Sequence, residues 1–458
     1  MYAQISRKQF LARGGKAALG VGLAGSLLAG CGSGGGGSGQ VTYWSNLTGS
    51  GPQNYFKKNI EKPFEKANKG TDLKVTFQPP DQMDRLVRTA LQGGEGPDII
   101  MTPGPAYAQE YIDATLFAEL DNYSDQYKWD DKLLVWALDL GRYEDELYAI
   151  PYQLQTMLLY YNKTLFEDKG MQPPKSQDEL ESMAEELQGQ GITPFAAGIG
   201  DDPAAIEWFP TVFWNHYSGP DALYQALTGE IPFSDPVFVE AIELFNNYVQ
   251  KGWFGGSREK FFSNGFDALH ADLGDGKAGM NIEGSWFLAD INDFFADSDD
   301  EWDWAPLPPL RSGVPAELYE LGIGSTLSVN RRAGDADGAA AFVDYLTANK
   351  ERAAEWMAAV PSAFNAPLPF TESDFPASMD QRVARQLAAL SEATGKGNFG
   401  YTAWTFWPSK SDVYIQEESQ KVLTGDITAA EFCQGLDEQF TKDRKEGAVP
   451  KIIKPGGA

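Results

Sequence analysis

The chain has few of the residues that carry covalent chemistry. Its 458 residues include two histidines, His216 and His270, and two cysteines, Cys31 and Cys433. Neither histidine stands in an H-E-x-x-H or H-x3–5-H spacing, which argues against a zinc site and leaves both as ordinary polar or packing residues. The folded part has no G-x-S-x-G elbow, and no G-x-x-x-x-G-K-[ST] loop is present, so neither a serine hydrolase nor a phosphate-loop ATPase is indicated. Asp335-Ala336-Asp337-Gly338 lacks the third acid and distal Glu of a calcium loop and reads instead as a helix cap. The acidic run Asp297–Asp303 reads as a solvated loop. No repeat of 20–50 residues is evident. Basic residues are also scarce. Acids exceed them to give a net charge of −28, which disfavours nucleic acid and anionic lipid as partners. Carboxylates are so abundant that a pair of them cannot by itself argue for glycoside hydrolysis.

Long apolar runs are missing too. Ala17–Gly30 is apolar or small but has only 14 residues, whereas a membrane-spanning helix needs about 20. Arg7, Lys8, Arg13 and Lys16 precede it without any acid. That order reads as a signal peptide over residues 1–30. Leu28-Ala29-Gly30-Cys31 resembles a lipobox, which implies a diacylglycerol on the Cys31 thiol. Ser6–Leu11 resembles a twin-arginine export motif with Lys8 in the second basic place. The Gly/Ser run to residue 39 then reads as a flexible tether. Removing the first 30 residues leaves 33 basic against 65 acidic side chains, a net charge of −32. With Cys31 lipidated, no intrachain disulfide can form, and Cys433 is read as a buried small residue.

What is abundant is apolar and aromatic residues, at 42% and 13%, enough for two sizeable cores. Short strands and amphipathic helices alternate. Strands are expected at Gln40–Ser45, Leu73–Gln78 and Pro97–Met101, and helices at Tyr55–Asn68 and Met83–Gln92. This βαβαβ pattern implies a parallel sheet with ligand loops at its strand ends. Further along, Ala149–Gln155 reads as an extended segment and Thr156–Tyr161 as a strand. Ser176 with Glu179 reads as a capping box, followed by a helix with Leu180, Met183 and Leu187 on one face. Ile192–Ala196 reads as a strand. Ser234-Asp235-Pro236 marks a helix start, and Phe238, Ala241, Ile242, Phe245 and Val249 form its apolar face. Lys277–Ile282, Trp302–Leu307 and Gly322–Asn330 read as strands, and Asp335–Asn349 as a helix.

The run DELYAIPYQLQTMLLYYNKTLFEDKGMQPPKSQDELESMAEELQGQGITPFA, from residue 145, closely resembles the extracellular solute-binding proteins of sugar ABC importers, the maltose-binding-protein-like family. GPDIIMTPG, GKAGMNIEGSWFLADI, PLPPL and VLTGDITAAEF continue the resemblance across nearly the whole mature chain. It implies an α/β, two-lobed, periplasmic-binding-protein-like fold of type II, each lobe a mainly parallel sheet flanked by helices, with a cleft between. The first lobe is expected from residues 40–150 and 311–360, the second from 151–310 and 361–458. The crossings near Ile150–Gln155, Pro308–Tyr319 and Val360–Ala363 would form the hinge.

A saccharide has apolar ring faces and a rim of hydroxyls, which suit flat aromatic rings and carboxamide or carboxylate side chains. Trp44, Trp208, Trp214, Trp286 and Trp404 fall at or near expected loop ends. The resemblance favours Trp286, in a Gly-Ser-Trp turn, and Trp404 as stacking rings, with Trp208 as a third. Candidates for the polar rim are Asn46 and Thr48 after the first strand, Asp81 after the second, Gln153 and Gln155 in the first crossing, and Glu283. Gly322 and Gly324 could admit a ligand to backbone amides or simply permit tight strand entry. Thr102–Pro105 lacks the large aromatic or acid expected there, and Tyr107 stands in for it. The resemblance therefore implies a monomeric, lipid-anchored, extracytoplasmic receptor. It would capture a carbohydrate, deliver it to ABC permease transmembrane subunits, and use no cofactor, metal or catalytic residue. A secreted carbohydrate-active enzyme and a non-transport sensor on the same fold are the alternatives.

Overall fold

The computed structural model describes residues 39–79, 82–360 and 367–456. Strands β1 (Gly39–Ser45) and β2 (Thr71–Phe77) run parallel in register from Gly39 opposite Thr71 to Ser45 opposite Phe77. Strand β3 (Ile99–Thr102) lies parallel on the other side of β1. A hairpin, β4 (Arg142–Tyr143) with β5 (Glu146–Leu147), precedes β6 (Ile150–Pro151). The remaining strands are β7 (Leu154–Gln155), β8 (Met157–Asn162), β9 (Thr193–Phe195), β10 (Ala278–Gly284), β11 (Trp302–Ala305), β12 (Tyr319–Ile323), β13 (Thr326–Val329) and β14 (Phe399–Tyr401). They form a five-stranded sheet of order β2-β1-β3-β13-β6, a four-stranded sheet β11-β8-β10-β9 and a three-stranded sheet β14-β12-β7. The first two sheets centre two lobes, and both are mixed rather than mainly parallel: β13 joins the first antiparallel to β3 and β6, and in the second β8 pairs antiparallel with β10 and β11 while only β9 is parallel to β10.

Local sequence explains most elements. Every residue of β3, β8 and β10 is buried, as expected of strands covered on both faces. Helix Met83–Gln92 turns Met83, Val87 and Leu91 toward Ile100. Trp44 packs against that cluster. In helix Pro236–Gln250, capped by the Asp235 side chain, all five residues of the expected apolar face are buried. Asp335 caps helix Ala336–Thr347 by accepting from the Gly338 amide. Trp214 is fully buried in the second lobe, stacked between Trp407 and Phe432 at 5.9 and 6.1 Å, so it belongs to the core. Cys433 is buried beside it in sequence to Phe432.

Three local expectations are corrected. The helix expected over 55–68 begins at Ser50 and contains a π-helical turn, Lys57–Glu61, before resuming at Lys62–Ala67. Pro52 fits the first turn, and Pro63 has no N–H to continue the bonding ladder, so the backbone rearranges just ahead of it. The capping box at Ser176 is half formed. Ser176 accepts from the Glu179 amide, but the Glu179 carboxylate accepts from the Lys175 amide, one residue earlier. The single strand expected over 322–330 is two strands in two sheets. At the break, the Gly324 amide donates to the Gln153 carbonyl at 2.7 Å and the Ser325 carbonyl accepts from the Tyr152 amide at 2.9 Å. The chain there leaves β7 and takes up β3 and β6 as partners. Among the described residues no helix is long and apolar enough to cross a membrane.

Candidate functional site

The register places one edge of each large sheet at the same junction. Parallel pairing brings the turn after β1, Asn46–Gly49, to the same edge as the turn after β3. Antiparallel pairing of Thr326 with Thr102 and with Pro151 adds Gly324-Ser325 and Tyr152-Gln153 to it. In the second lobe Met157 pairs with Gly284, and the Ser285 amide donates to the Thr156 carbonyl at 2.8 Å. The short segment 152–156 therefore carries the chain from one edge to the other. Gly104 has φ of 102°, a conformation glycine adopts freely. A Cβ there would lie 3.1 Å from the Ile323 carbonyl and 3.2 Å from the Trp404 carbonyl. The first lobe thus meets the Trp404 segment directly.

Three tryptophans line this junction. Trp208 and Trp286 have ring centroids 5.0 Å apart, and Trp286 and Trp404 5.9 Å apart. Phe266 stacks on Trp208 at 5.9 Å and extends the row. Trp208 and Trp286 are half-buried, whereas Trp404 is 9% exposed and its indole nitrogen has no partner among the described residues. Trp208 and Trp286 are tilted by 54° and Trp286 meets Trp404 edge-on at 67°, so the row offers apolar ring area at several angles rather than one flat face.

The polar candidates divide by occupancy. Asn46, Thr48, Tyr107 and Gln155 are half-buried. Among the described residues none of their side chains is placed in a hydrogen bond. Gln153 is engaged, accepting from the Ser325 hydroxyl at 2.7 Å. Glu283 is turned inward. It is 5% exposed, and its two carboxylate oxygens accept from His270 Nε2 at 2.6 Å and Trp286 Nε1 at 3.3 Å. Gly322 is buried, and a Cβ there would lie 3.3 Å from both Gln155 Cβ and Thr402 Cγ2. At Gly324 a Cβ would lie 2.4 Å from the Gln155 amide nitrogen. Protein fills both spaces, so these glycines serve tight packing rather than ligand approach. Asp81 and Cys31 lie outside the described residues.

One pair of acids escaped the sequence. Glu207, next to Trp208, and Asp412 are both buried. A single donor, Gln416 Nε2, reaches Glu207 Oε2 at 3.0 Å and Asp412 Oδ2 at 3.1 Å. The second Asp412 oxygen has no partner, and neither acid is in an ion pair among the described residues. Burial pushes Asp412 up to about 6, and burial followed by the Asp412 charge holds Glu207 well above the usual carboxylate range. Tyr107, from the first lobe, is raised by burial first and then by the charges of these two acids. Burial and mutual repulsion favour the protonated form in two adjacent buried carboxyl groups that share one amide donor.

The family model for bacterial extracellular solute-binding protein matches residues 49–353, well over half the chain. The alpha-glucosides-binding periplasmic protein AglE of Rhizobium meliloti is 24% identical over 297 residues, which cover 60% of this chain and 62% of AglE. The chain thus spans less than two thirds of that relative's length. A structure described as giving insight into xylan utilization by the thermophilic bacterium Caldanaerobius polysaccharolyticus superposes with a TM-score of 0.72 at 21% identity, covering 87% of this chain and 99% of the other. A chitin oligosaccharide binding protein superposes with a TM-score of 0.71 at 20% identity, covering 88% and 98%. The shared architecture is the two-lobed α/β fold.

The acid pair generates a stability prediction. Unfolded Asp and Glu titrate near about 3.9 and 4.3, while the folded pair keeps its proton to higher pH. The folded state therefore binds more protons than the unfolded one in this window. By linkage, this contribution is fully present below about pH 4 and is lost as pH rises through the folded value, about 6 for Asp412. Melting curves from about pH 4 to pH 7 should show a shallower decline in Glu207→Gln and Asp412→Asn than in the unmodified protein. Identical slopes in all three would show that the pair holds no such proton.

Proposed function

The chain belongs to the bacterial extracellular solute-binding protein family, and from that premise we propose that it is the receptor of an ABC importer for a carbohydrate, in particular an oligosaccharide. The observation that carries this reading is the tryptophan row at the junction of the lobes, together with half-buried polar side chains that are in no hydrogen bond among the described residues. Apolar sugar faces would stack on Trp208, Trp286 and Trp404. Hydroxyls would pair with Asn46, Thr48, Tyr107 and Gln155, with Gln153 held by Ser325 beneath them. Asp81 remains in the proposed rim. Names of relatives agree in class: AglE is described as binding alpha-glucosides, and one solved structure as binding chitin oligosaccharide.

In this reading the first lobe comprises residues 40–150 and 311–360, and the second residues 151–310 and 361–458. A ligand touching both lobes favours the closed form by its differential affinity, and the crossings act as the hinge. The crossing Val360–Ala363 lies mostly outside the described residues. The ligand is bound and released to permease subunits without covalent change. Residues 1–30 direct export, Cys31 carries lipid outside the membrane, and the segment to residue 39 tethers a monomeric receptor.

A thermal-shift screen across mono-, di- and oligosaccharides tests the ligand class. Ligand at a hundred times its Kd stabilises by about 2.7 kcal/mol, and oligosaccharides should raise the melting temperature most. The sugar should be recovered unaltered after prolonged incubation. Trp286→Ala should weaken binding by about 1–3 kcal/mol, the scale for a large apolar contact, with little change in far-UV circular dichroism. A screen in which no saccharide stabilises the protein, or in which the sugar is cleaved, removes this reading. Intact-mass analysis of the native protein tests the anchor: it should begin at Cys31 with lipid attached, and a mature chain starting elsewhere without lipid would contradict that assignment.

A further inference from the structure

Directly beneath the tryptophan row is a buried arrangement that ligand stacking alone does not require. Glu283 stands near the end of β10, opposite Leu158 of β8. Its Oε2 is 2.6 Å from His270 Nε2 and its Oε1 is 3.3 Å from Trp286 Nε1. His270 is itself clamped. Its ring stacks on Phe287 at 3.9 Å and on Phe266 at 6.1 Å, and meets Phe294 edge-on at 5.0 Å. The imidazole therefore has little freedom to turn its nitrogen away from the acid. Trp286 is fixed from a second side by Gly284, where a Cβ would fall 2.1 Å from the indole ring. The indole thus lies flat on the strand end, a position only glycine leaves open.

We propose that His270 and Glu283 are positioning residues that lock the Trp286 indole in the orientation at which it joins Trp208 and Trp404, and thereby set how tightly the row grips its ligand. This rests on the reading of the row as the ligand face. A carboxylate this buried is costly unless each oxygen has a donor. The two donors here are a clamped imidazole and the indole that the row needs. No lysine or arginine forms an ion pair with Glu283 among the described residues. A titratable neighbour is Tyr160, whose hydroxyl donates to the Gly284 carbonyl at 3.0 Å. Trp404 differs, since its indole nitrogen has no partner among the described residues. Trp286 is thus the ring in the row whose N–H is tied to a buried acid. At 3.3 Å the indole bond is long, so it fixes the ring together with the Gly284 packing, and its loss frees the ring about its side-chain torsions.

The test uses indole-15N-labelled protein first without any ligand. The Trp286 N–H resonance, assigned by its disappearance in Trp286→Phe, should move upfield and exchange faster with solvent in Glu283→Gln. It should do so again in His270→Phe, which keeps the aromatic stack and removes the donor. His270→Gln, which restores an N–H donor, should recover part of the shift. For the oligosaccharide found by thermal shift, Kd should rise about tenfold in Glu283→Gln and His270→Phe, equal to about 1.4 kcal/mol, with circular dichroism unchanged. An unmoved indole resonance in both variants overturns the proposal, as does a moved resonance with unaltered Kd. If the unmodified protein bound no saccharide, the receptor reading would fail, and the resonance would still decide whether the relay exists.

Discussion

Three backbone segments far apart in the chain meet in one small sheet, and the arrangement of the junction depends on it. β12 pairs in parallel with β14 from Tyr319 opposite Phe399, and antiparallel with β7 at Gly322 opposite Gln155. Two threonine hydroxyls reinforce the meeting. Thr405 accepts from the Ile323 amide at 2.9 Å, and Thr402 donates to the Leu321 carbonyl at 2.9 Å. Since β7 and β12 are also the passages between the two large sheets, their register decides which side chains can meet there. It sets Gln155 over Gly324 and brings the Trp404 carbonyl to Gly104. A slip of one residue would turn Gln155 to the opposite face.

Four buried acids, Glu207, Glu283, Glu320 and Asp412, are accommodated in three ways. Glu283 has a protein donor for each oxygen. Glu207 and Asp412 share one amide donor, and their burial favours the protonated form. Glu320, on β12, is fully buried with one oxygen 2.9 Å from His216 Nε2. Each arrangement ties together segments that are far apart in the chain or in separate elements. In a chain of net charge −28, surface acid favours solubility. These few enclosed acids instead hold shape, because an unpaired buried charge costs far more than an exposed one.

Periodicity carried much of the fold. The stripe Phe238, Ala241, Ile242, Phe245 and Val249 is buried as a unit because helix spacing alone dictates its face. The bounds of helix Met83–Gln92 follow from the same signal. Gly322–Asn330 did not reveal its break, because alternation within a strand says nothing about a change of neighbour. Tryptophans could be placed near loop ends, but sequence does not distinguish Trp214, sandwiched in the core, from Trp286, at the junction. Glu283 was legible as a polar residue before the Gly-Ser-Trp turn. Its inward direction depends on His270, which lies on a separate helix. The Glu207–Asp412 pair left no signal at all. Its partners come from distant helical segments, and only their packing creates the shared burial.

Closure of two lobes around a ligand is the central claim, and small-angle scattering measures it most directly. Saturating oligosaccharide, at a concentration that raises the melting temperature, should reduce the radius of gyration of the unmodified protein. A ligand that stabilises the protein while leaving the scattering curve unchanged would contradict hinge closure.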